Sequence, residues 1–147
     1  TELWQQTEVG MSPEAVKQLY PEVAESNGAR RGMHGTPLLV RDGYEVNNHE
    51  FQVEFYFEDK RLQKVILRLQ QADLATKELP KTYQELLKSR YGEPLSYYTE
   101  GDPLPLIKAT WLDGERNITL YWALVRQTEI KMHIIYSTRI ATEADKL

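Results

Sequence analysis

The sequence predicts an α+β fold of two halves, each a helix followed by an antiparallel meander, with the helices packed on one face of an antiparallel sheet. Three observations support this prediction. Apolar residues repeat at helical spacing in two segments, and they recur with the period of a strand in six others. Only short turns join the strands of each meander, so neighbouring strands are expected to run antiparallel. Helices over one face of such a sheet form an α+β layer.

The length and composition of the chain are those of a single domain over residues 1–147. Hydrophobic residues make up 41% and charged residues 27%, which is too apolar for a disordered chain. A net charge of −4 argues against a nucleic-acid partner. No cysteine is present, which excludes disulfides, zinc–thiolate sites and iron–sulfur clusters. The longest mostly apolar stretch, Ile118 to Val125, is far shorter than the roughly 20 residues of a membrane helix.

The first half opens with a short helix. Ser12 is suited to cap its free amides, and Pro13 fits the first helical position because no amide hydrogen is needed there. The helix carries one apolar stripe and ends at Pro21. The stripe consists of Ala15, Val16, Leu19 and Tyr20. Residues 22–36 are polar and rich in glycine, which predicts a loop.

Three strands follow in the first meander. The first runs from Pro37 to Val46, with a bulge or break at Asp42-Gly43. In the second, apolar residues alternate with polar ones, which predicts one buried face and one wet face. Its buried residues are Phe51, Val53, Phe55 and Phe57. The third strand, Leu62 to Leu69, returns with Val65, Leu67 and Leu69 facing inward.

The second half repeats this order after a polar connection. A helix from Leu79 to Tyr91 ends at Gly92, a left-handed cap. Three strands follow a loop rich in Gly and Pro (101–105), and they span 106–112, 117–125 and 128–138. A two-residue turn at Asp113-Gly114 would pair Ile107 with Leu120. The two halves span about 1–72 and 73–140, and the charged tail 141–147 is expected to fray.

Two short motifs resemble those of a known family. The opening Gly10-Met11-Ser12-x-x-x-Val16-x-x-Leu19 and the helix ending Tyr91-Gly92-Glu93-Pro94 resemble the SmpA/BamE family of outer-membrane assembly lipoproteins. The layout of two helix-plus-meander halves is similar to the fold of beta-lactamase inhibitor proteins. The first helix departs from the family pattern because it ends Tyr20-Pro21-Glu22, and the family's lipid-bearing cysteine is absent. The resemblance implies a periplasmic or secreted module that binds another protein and catalyses nothing.

The N-terminus leaves the compartment open. The sequence starts Thr-Glu-Leu-Trp without a methionine, which is compatible with a removed secretory leader or lipid anchor. Such a leader or anchor is the only membrane association we expect. A trimmed cytoplasmic protein would look the same.

No constellation for catalysis or metal binding stands out, so we expect neither enzymatic activity nor a cofactor. The three histidines, His34, His49 and His133, have no partner at metal-ligand spacing. The first two fall in a loop and a turn, where a solvated side chain is expected. The segment 27–32 combines glycines with two arginines, but it lacks the strand–loop–helix context of a phosphate loop.

The remaining candidate is the sheet face turned away from the helices. Strand parity predicts five apolar, aromatic or imidazole side chains there, exposed on one continuous surface. They are Tyr56, Ile66, Tyr121, His133 and Ile135. Such a group on an open sheet face is typical of an interface, so the sequence predicts a protein partner. The alternative is a binding cup for a small apolar ligand or sugar, with Tyr97, Tyr98 and Trp111 near its mouth.

Overall fold

The computed structural model describes residues 1–26, 37–70, 78–101, 105–126, 129–144 and 146–147. These residues contain eight strands and three helices. The strands are β1 (Ala24–Glu25), β2 (Leu39–Val46), β3 (His49–Glu58), β4 (Arg61–Leu69), β5 (Ser96–Glu100), β6 (Leu106–Asp113), β7 (Arg116–Leu124) and β8 (Ile130–Thr138). The helices are α1 (Pro13–Leu19), α2 (Glu78–Tyr91) and α3 (Arg139–Ala144). The strands form one antiparallel sheet in the order β1-β2-β3-β4-β8-β7-β6-β5.

The predicted division into two helix-plus-meander halves is wrong. The last strands of the two meanders, β4 and β8, pair with each other from Val65–Tyr136 to Arg68–His133, so both meanders belong to one sheet. Among the described residues, 50% are in strand and 22% in helix, and the sheet therefore dominates the fold. Hydrophobic periodicity identifies strands and their faces, but it does not show which two edges meet. Pairing β4 with β8 satisfies two edges that would otherwise lie open.

The predicted inward faces of the strands are confirmed. One hydrophobic cluster lines a single side of the sheet, which we call the inner face, and it extends from β2 to β6. It includes Phe51, Phe55, Val65, Leu67, Trp111, Ile118, Leu120, Met132 and Ile134. The bulge predicted at Asp42-Gly43 is also present, because the β2–β3 register shifts between Arg41 and Tyr44.

The predicted pairing of β6 with β7 is wrong by two residues. Leu120 lies opposite Ala109 rather than Ile107, and Asp113 pairs with Arg116. The turn is therefore Gly114-Glu115, with Gly114 at a φ of +62°, and glycine at the first turn position is typical of a type II′ turn. Since side chains alternate with a period of two, this slip leaves every residue on its predicted face.

Helix α1 and the segment before it cover one end of the inner face. The Ser12 side chain accepts a hydrogen bond from the Ala15 amide, and Pro13 begins the helix, as predicted. Trp4 and Tyr20 pack with Phe55, with ring centroids 5.5 to 6.2 Å apart. The buried guanidinium of Arg116 holds this segment to the sheet, because its Nη1 donates to the Leu3 carbonyl over 2.7 Å.

Helix α2 covers the neighbouring part of the inner face and begins one residue earlier than predicted. Tyr83 is buried edge-on against Phe51, with the ring centroids 5.6 Å apart. The helix ends at Gly92, whose φ of +84° confirms the predicted left-handed cap. The Gly92 carbonyl accepts a hydrogen bond of 2.8 Å from Trp111 Nε1, which joins this end of the helix to β6.

Three short elements differ from the predicted loops and tail. Strand β1 lies within the predicted loop 22–36, and β5 precedes the glycine- and proline-rich loop. Helix α3 includes part of the tail that was expected to fray. Residues 27–36, most of the polar connection between the halves (71–77) and the predicted start of the last strand at Thr128 lie outside the described residues.

Candidate binding face

The opposite side of the sheet, which we call the outer face, brings together the five side chains that parity predicted there. Ile66 on β4 lies opposite Ile135 on β8, and His133 lies opposite Tyr121 on β7. Tyr56 on β3 faces Lys64, two residues from Ile66. Residues far apart in the chain therefore share one surface, because β4 and β8 are neighbours.

Two of these five residues are not exposed as predicted. Ile66 is 0% exposed and Tyr56 is 5% exposed, whereas Tyr121, His133 and Ile135 are half-buried. The face of β3 that was expected to be wet is also buried at Glu54. A polar neighbour contributes to the burial of Tyr56: the Lys64 ammonium lies over its ring, 5.8 Å from the centroid. Strand parity thus assigns a side chain to a face but does not determine how much its neighbours cover it.

A buried carboxylate organises the β3–β4 part of the outer face. The Glu54 side chain is 1% exposed, and its Oε1 accepts hydrogen bonds from the Tyr56 hydroxyl over 2.9 Å and from Arg68 Nε over 3.1 Å. Burial, together with the negative charge of Glu54, raises the pKa of Tyr56 to about 12. Tyr56 therefore stays protonated and acts as a hydrogen-bond donor at neutral pH. Sequence reasoning missed this cluster, because it depends on the β3–β4 register.

The half-buried part of the face centres on an aromatic stack. The rings of Tyr121 and His133 lie 4.8 Å apart at 19°, close to parallel. Arg68 is the next cross-strand neighbour of His133, and Lys108 is the next neighbour of Tyr121. One row across four strands thus reads cation, imidazole, phenol, cation. Holding both rings in place reduces the side-chain freedom that a binding partner would have to remove.

On the four strands around this stack, the charged outward side chains have one sign, and one of them, Arg68, is paired with Glu54 of the adjacent strand β3. The outward positions of the four consecutive strands β4, β8, β7 and β6 carry Lys and Arg but no Asp or Glu. The cations are Arg61, Lys64, Arg68, Lys108 and Lys131. The whole chain nevertheless has a net charge of −4. We call Tyr121, His133 and Ile135, with Arg68, Lys108 and Lys131 around them, the central patch.

The three residues of the predicted binding cup do not share one face of the sheet. Trp111 is fully buried and its indole nitrogen donates a hydrogen bond to the Gly92 carbonyl, so it belongs to the core. Tyr97 and Tyr98 are successive residues of β5 and point to opposite faces of the sheet. No observation on the described residues supports the cup.

The histidines outside the central patch hold no metal site in the described structure. His49 begins β3 and is half-buried, with its Nδ1 2.9 Å from the Tyr83 hydroxyl, so the expected solvated side chain is wrong there. His34 and the glycine–arginine segment 27–32 lie outside the described residues. Over the described ranges, no group of three or more His, Asp or Glu side chains is placed to bind a metal ion.

Comparison with known proteins identifies no relative. No protein-family model, no curated protein and no solved structure matches the chain. The resemblance to the SmpA/BamE family therefore stays a prediction. None of the described helices is long and apolar enough to cross a membrane.

Proposed function

We propose that this chain is a non-enzymatic protein-binding module of the cell envelope that holds a protein partner on the outer face of its sheet. The observation that carries the proposal is the central patch, in which two stacked aromatic rings lie beside the exposed cations Lys108 and Lys131. Tyr and Arg are the side chains that most often dominate the energy of protein interfaces.

The charge of the central patch favours an acidic partner surface. Lys108 and Lys131 are exposed at its margins, whereas the charge of Arg68 is already paired with the buried carboxylate of Glu54. Carboxylates of a partner would meet these cations, speed the encounter and set the orientation of the complex. A nucleic acid would meet the same cations, but the net charge of −4 and the pI of about 5.4 disfavour it.

The assignment to the cell envelope rests on the resemblance to the SmpA/BamE family. The residues that carry it lie at helix ends: Ser12 caps the start of α1, and Gly92 follows the last residue of α2. The genomic sequence upstream of Thr1 tests this assignment directly. A secretory leader is the expected result, and a coding sequence that begins at this segment with no leader would contradict it.

The binding test uses the immobilised protein and an envelope extract of the source organism. A retained protein is identified, purified and titrated against wild type and variants by calorimetry. Tyr121→Ala should weaken binding by about 2 kcal/mol, or roughly 30-fold, as at central interface tyrosines. Lys131→Glu should weaken it most at low salt, because it opposes an acidic surface.

The matched control is Leu86→Ala, which removes an exposed side chain from α2 on the other side of the sheet. It should bind the partner as wild type does, and all three variants should keep the wild-type melting temperature to within a few degrees. Equal affinity of Tyr121→Ala and wild type would contradict the proposal. Tighter binding of a single-stranded oligonucleotide than of any protein would replace it with a nucleic-acid function.

A further inference from the structure

The last strand of the sheet, β5, has an edge that nothing in the described structure covers. All five of its residues are exposed, and among the described strands it pairs with β6 alone. We propose that β5 pairs antiparallel with β5 of a second copy of this chain, about a two-fold axis at Tyr98. The two sheets would then be continuous through the dimer. This inference does not depend on the partner proposed for the outer face.

Two residues of β5 have backbone N–H and C=O groups that point toward the open edge. The Leu124 amide donates to the Pro105 carbonyl over 3.0 Å. Backbone hydrogen bonds between antiparallel strands recur at every second residue, so Ile107 and Ala109 also point their N–H and C=O groups toward β7. The alternate residues of β6 therefore bond to β5, and Lys108 meets Tyr98 there. By the same alternation, Tyr97 and Thr99 point their N–H and C=O groups outward.

The two edges of the sheet differ in how they are protected. Strand β1, at the other edge, has only two residues, and its neighbour β2 has a bulge. Ion pairs also lie there, between Lys17 and Glu25 and between Arg41 and Glu22. Strand β5 has no lysine, proline or register shift between residues 96 and 100. Proteins normally protect an exposed edge strand with such features, which prevent it from pairing with another chain. The absence of these features from β5 therefore favours pairing at this edge.

The side chains of β5 are complementary to themselves in this arrangement. A two-fold axis at Tyr98 places its ring beside Tyr98 of the second copy, and aromatic cross-strand pairs are favourable. Tyr97 then lies opposite Thr99 of the second copy, and their outward backbone groups bond to each other. Glu100 lies opposite Ser96, so no like charges face each other. The Tyr98 hydroxyl already donates to Glu100 Oε2 over 2.9 Å, which orients the ring.

Single cysteine substitutions test the position of the axis, because the chain has no cysteine of its own. Tyr98→Cys places two thiols in a non-hydrogen-bonded pair, with Cα atoms about 4.5 Å apart, within the range that a disulfide spans. Tyr97→Cys is the matched control, since Tyr97 and Tyr98 are 52% and 54% exposed. Its two copies would be offset by two residues, about 8 Å apart, which is too far for a disulfide.

Under mild oxidation, the Tyr98→Cys variant should form a covalent dimer about tenfold faster or more than the Tyr97→Cys variant. Equal rates at the two positions, or no cross-linking at either, would overturn the proposal. These rates are measured on non-reducing gels at several protein concentrations, with circular dichroism to confirm that both variants fold.

Thr99→Pro provides a second, non-covalent test by sedimentation equilibrium. It removes an outward N–H that β6 does not use, and proline is tolerated on such an edge. We expect wild type to dimerise with increasing concentration, Thr99→Pro to stay monomeric, and Tyr98→Phe to dimerise like wild type. A wild type that is monomeric at every concentration, or a folded Thr99→Pro variant that dimerises equally, would overturn the proposal. If Thr99→Pro does not fold, the comparison of Tyr98→Cys with Tyr97→Cys still tests the proposal.

Discussion

The Tyr83 hydroxyl connects three parts of the molecule. It donates a hydrogen bond to the Val46 carbonyl over 2.9 Å, and His49 Nδ1 lies 2.9 Å from the same oxygen. Because a hydroxyl has only one proton to donate, His49 Nδ1–H must be the donor of the second bond. Helix α2 is thereby held to the β2–β3 hairpin by polar contacts as well as by the packing of Tyr83 on Phe51.

This environment predicts how stability changes at high pH. Burial raises the pKa of Tyr83 to about 12, whereas a tyrosine in the unfolded chain titrates near 10. Below pH 10 the phenol is neutral in both states, so its contribution to stability is fully present. Between pH 10 and 12 only the unfolded state loses the proton, and the free energy of unfolding falls.

Tyr83→Phe should therefore make that fall between pH 10 and 12 less steep, and should cost about 1–2 kcal/mol at pH 7, where two hydrogen bonds are lost. Urea unfolding at a series of pH values measures both effects. Tyr97→Phe, at an exposed position, should follow the wild-type curve. An unchanged pH slope in Tyr83→Phe would contradict this account.

At the scale of elements, two hairpin turns contain residues in the left-handed region. Asn47 and Asn48 have φ values of +50° and +66°, and Asp59 and Lys60 have values of +51° and +60°. Two successive positive values are typical of a type I′ turn, which matches the twist of the strands it joins. Asparagine tolerates this conformation, but for lysine it costs about 1–2 kcal/mol.

Lys60→Gly should therefore stabilise the protein by about 0.5–1 kcal/mol. Glycine relieves the backbone strain, and its greater loss of conformational entropy on folding offsets part of this gain. The resulting Asp-Gly pair is among the preferred sequences for this turn. Thermal and urea unfolding measure the change. Lys60→Ala, which keeps the strained φ, should give no stabilisation, and a destabilised Lys60→Gly would show that the turn is not of this type.

At the scale of the whole molecule, the β4–β8 pairing determines whether the chain behaves as one unit. These strands lie at the middle of the sheet: β4 is the fourth strand from the β1 edge, and β8 is the fourth strand from the β5 edge. Both strands also have buried side chains on the inner face, so separating β4 from β8 would expose the core. Their amides should exchange only when the whole molecule unfolds.

Hydrogen exchange should consequently be slowest in β4 and β8 and fastest in β1 and β5. Mass spectrometry of exchanged peptides, or NMR of individual amides, gives the rates. Peptides from β7, which is flanked by two strands, are the internal reference. Faster exchange in β4 and β8 than in β3 or β7 would mean that the two meanders open independently, which would contradict a single cooperative sheet.

The candidate face could be predicted only in part from the sequence. Parity correctly assigned Tyr121, His133 and Ile135 to the outer side, because the period of two is a local property of a strand. It did not predict the burial of Ile66 or of Glu54, whose carboxylate is covered by contacts with Tyr56 and Arg68. Nor did it reveal the single sign of charge, since that requires knowing that β4, β8, β7 and β6 lie side by side.

Local sequence by itself determined where most strands run, which face of each is buried, and how the two larger helices start or stop. Ser12, Pro13 and Gly92 act within a few residues of their own position, so their effect is visible in the chain. The tertiary structure decided that β4 meets β8 and that β5 remains an edge, because strand order depends on contacts between residues far apart in sequence. Periodicity is a short-range property, whereas the pairing of edges is a choice among surfaces that look alike until the chain folds.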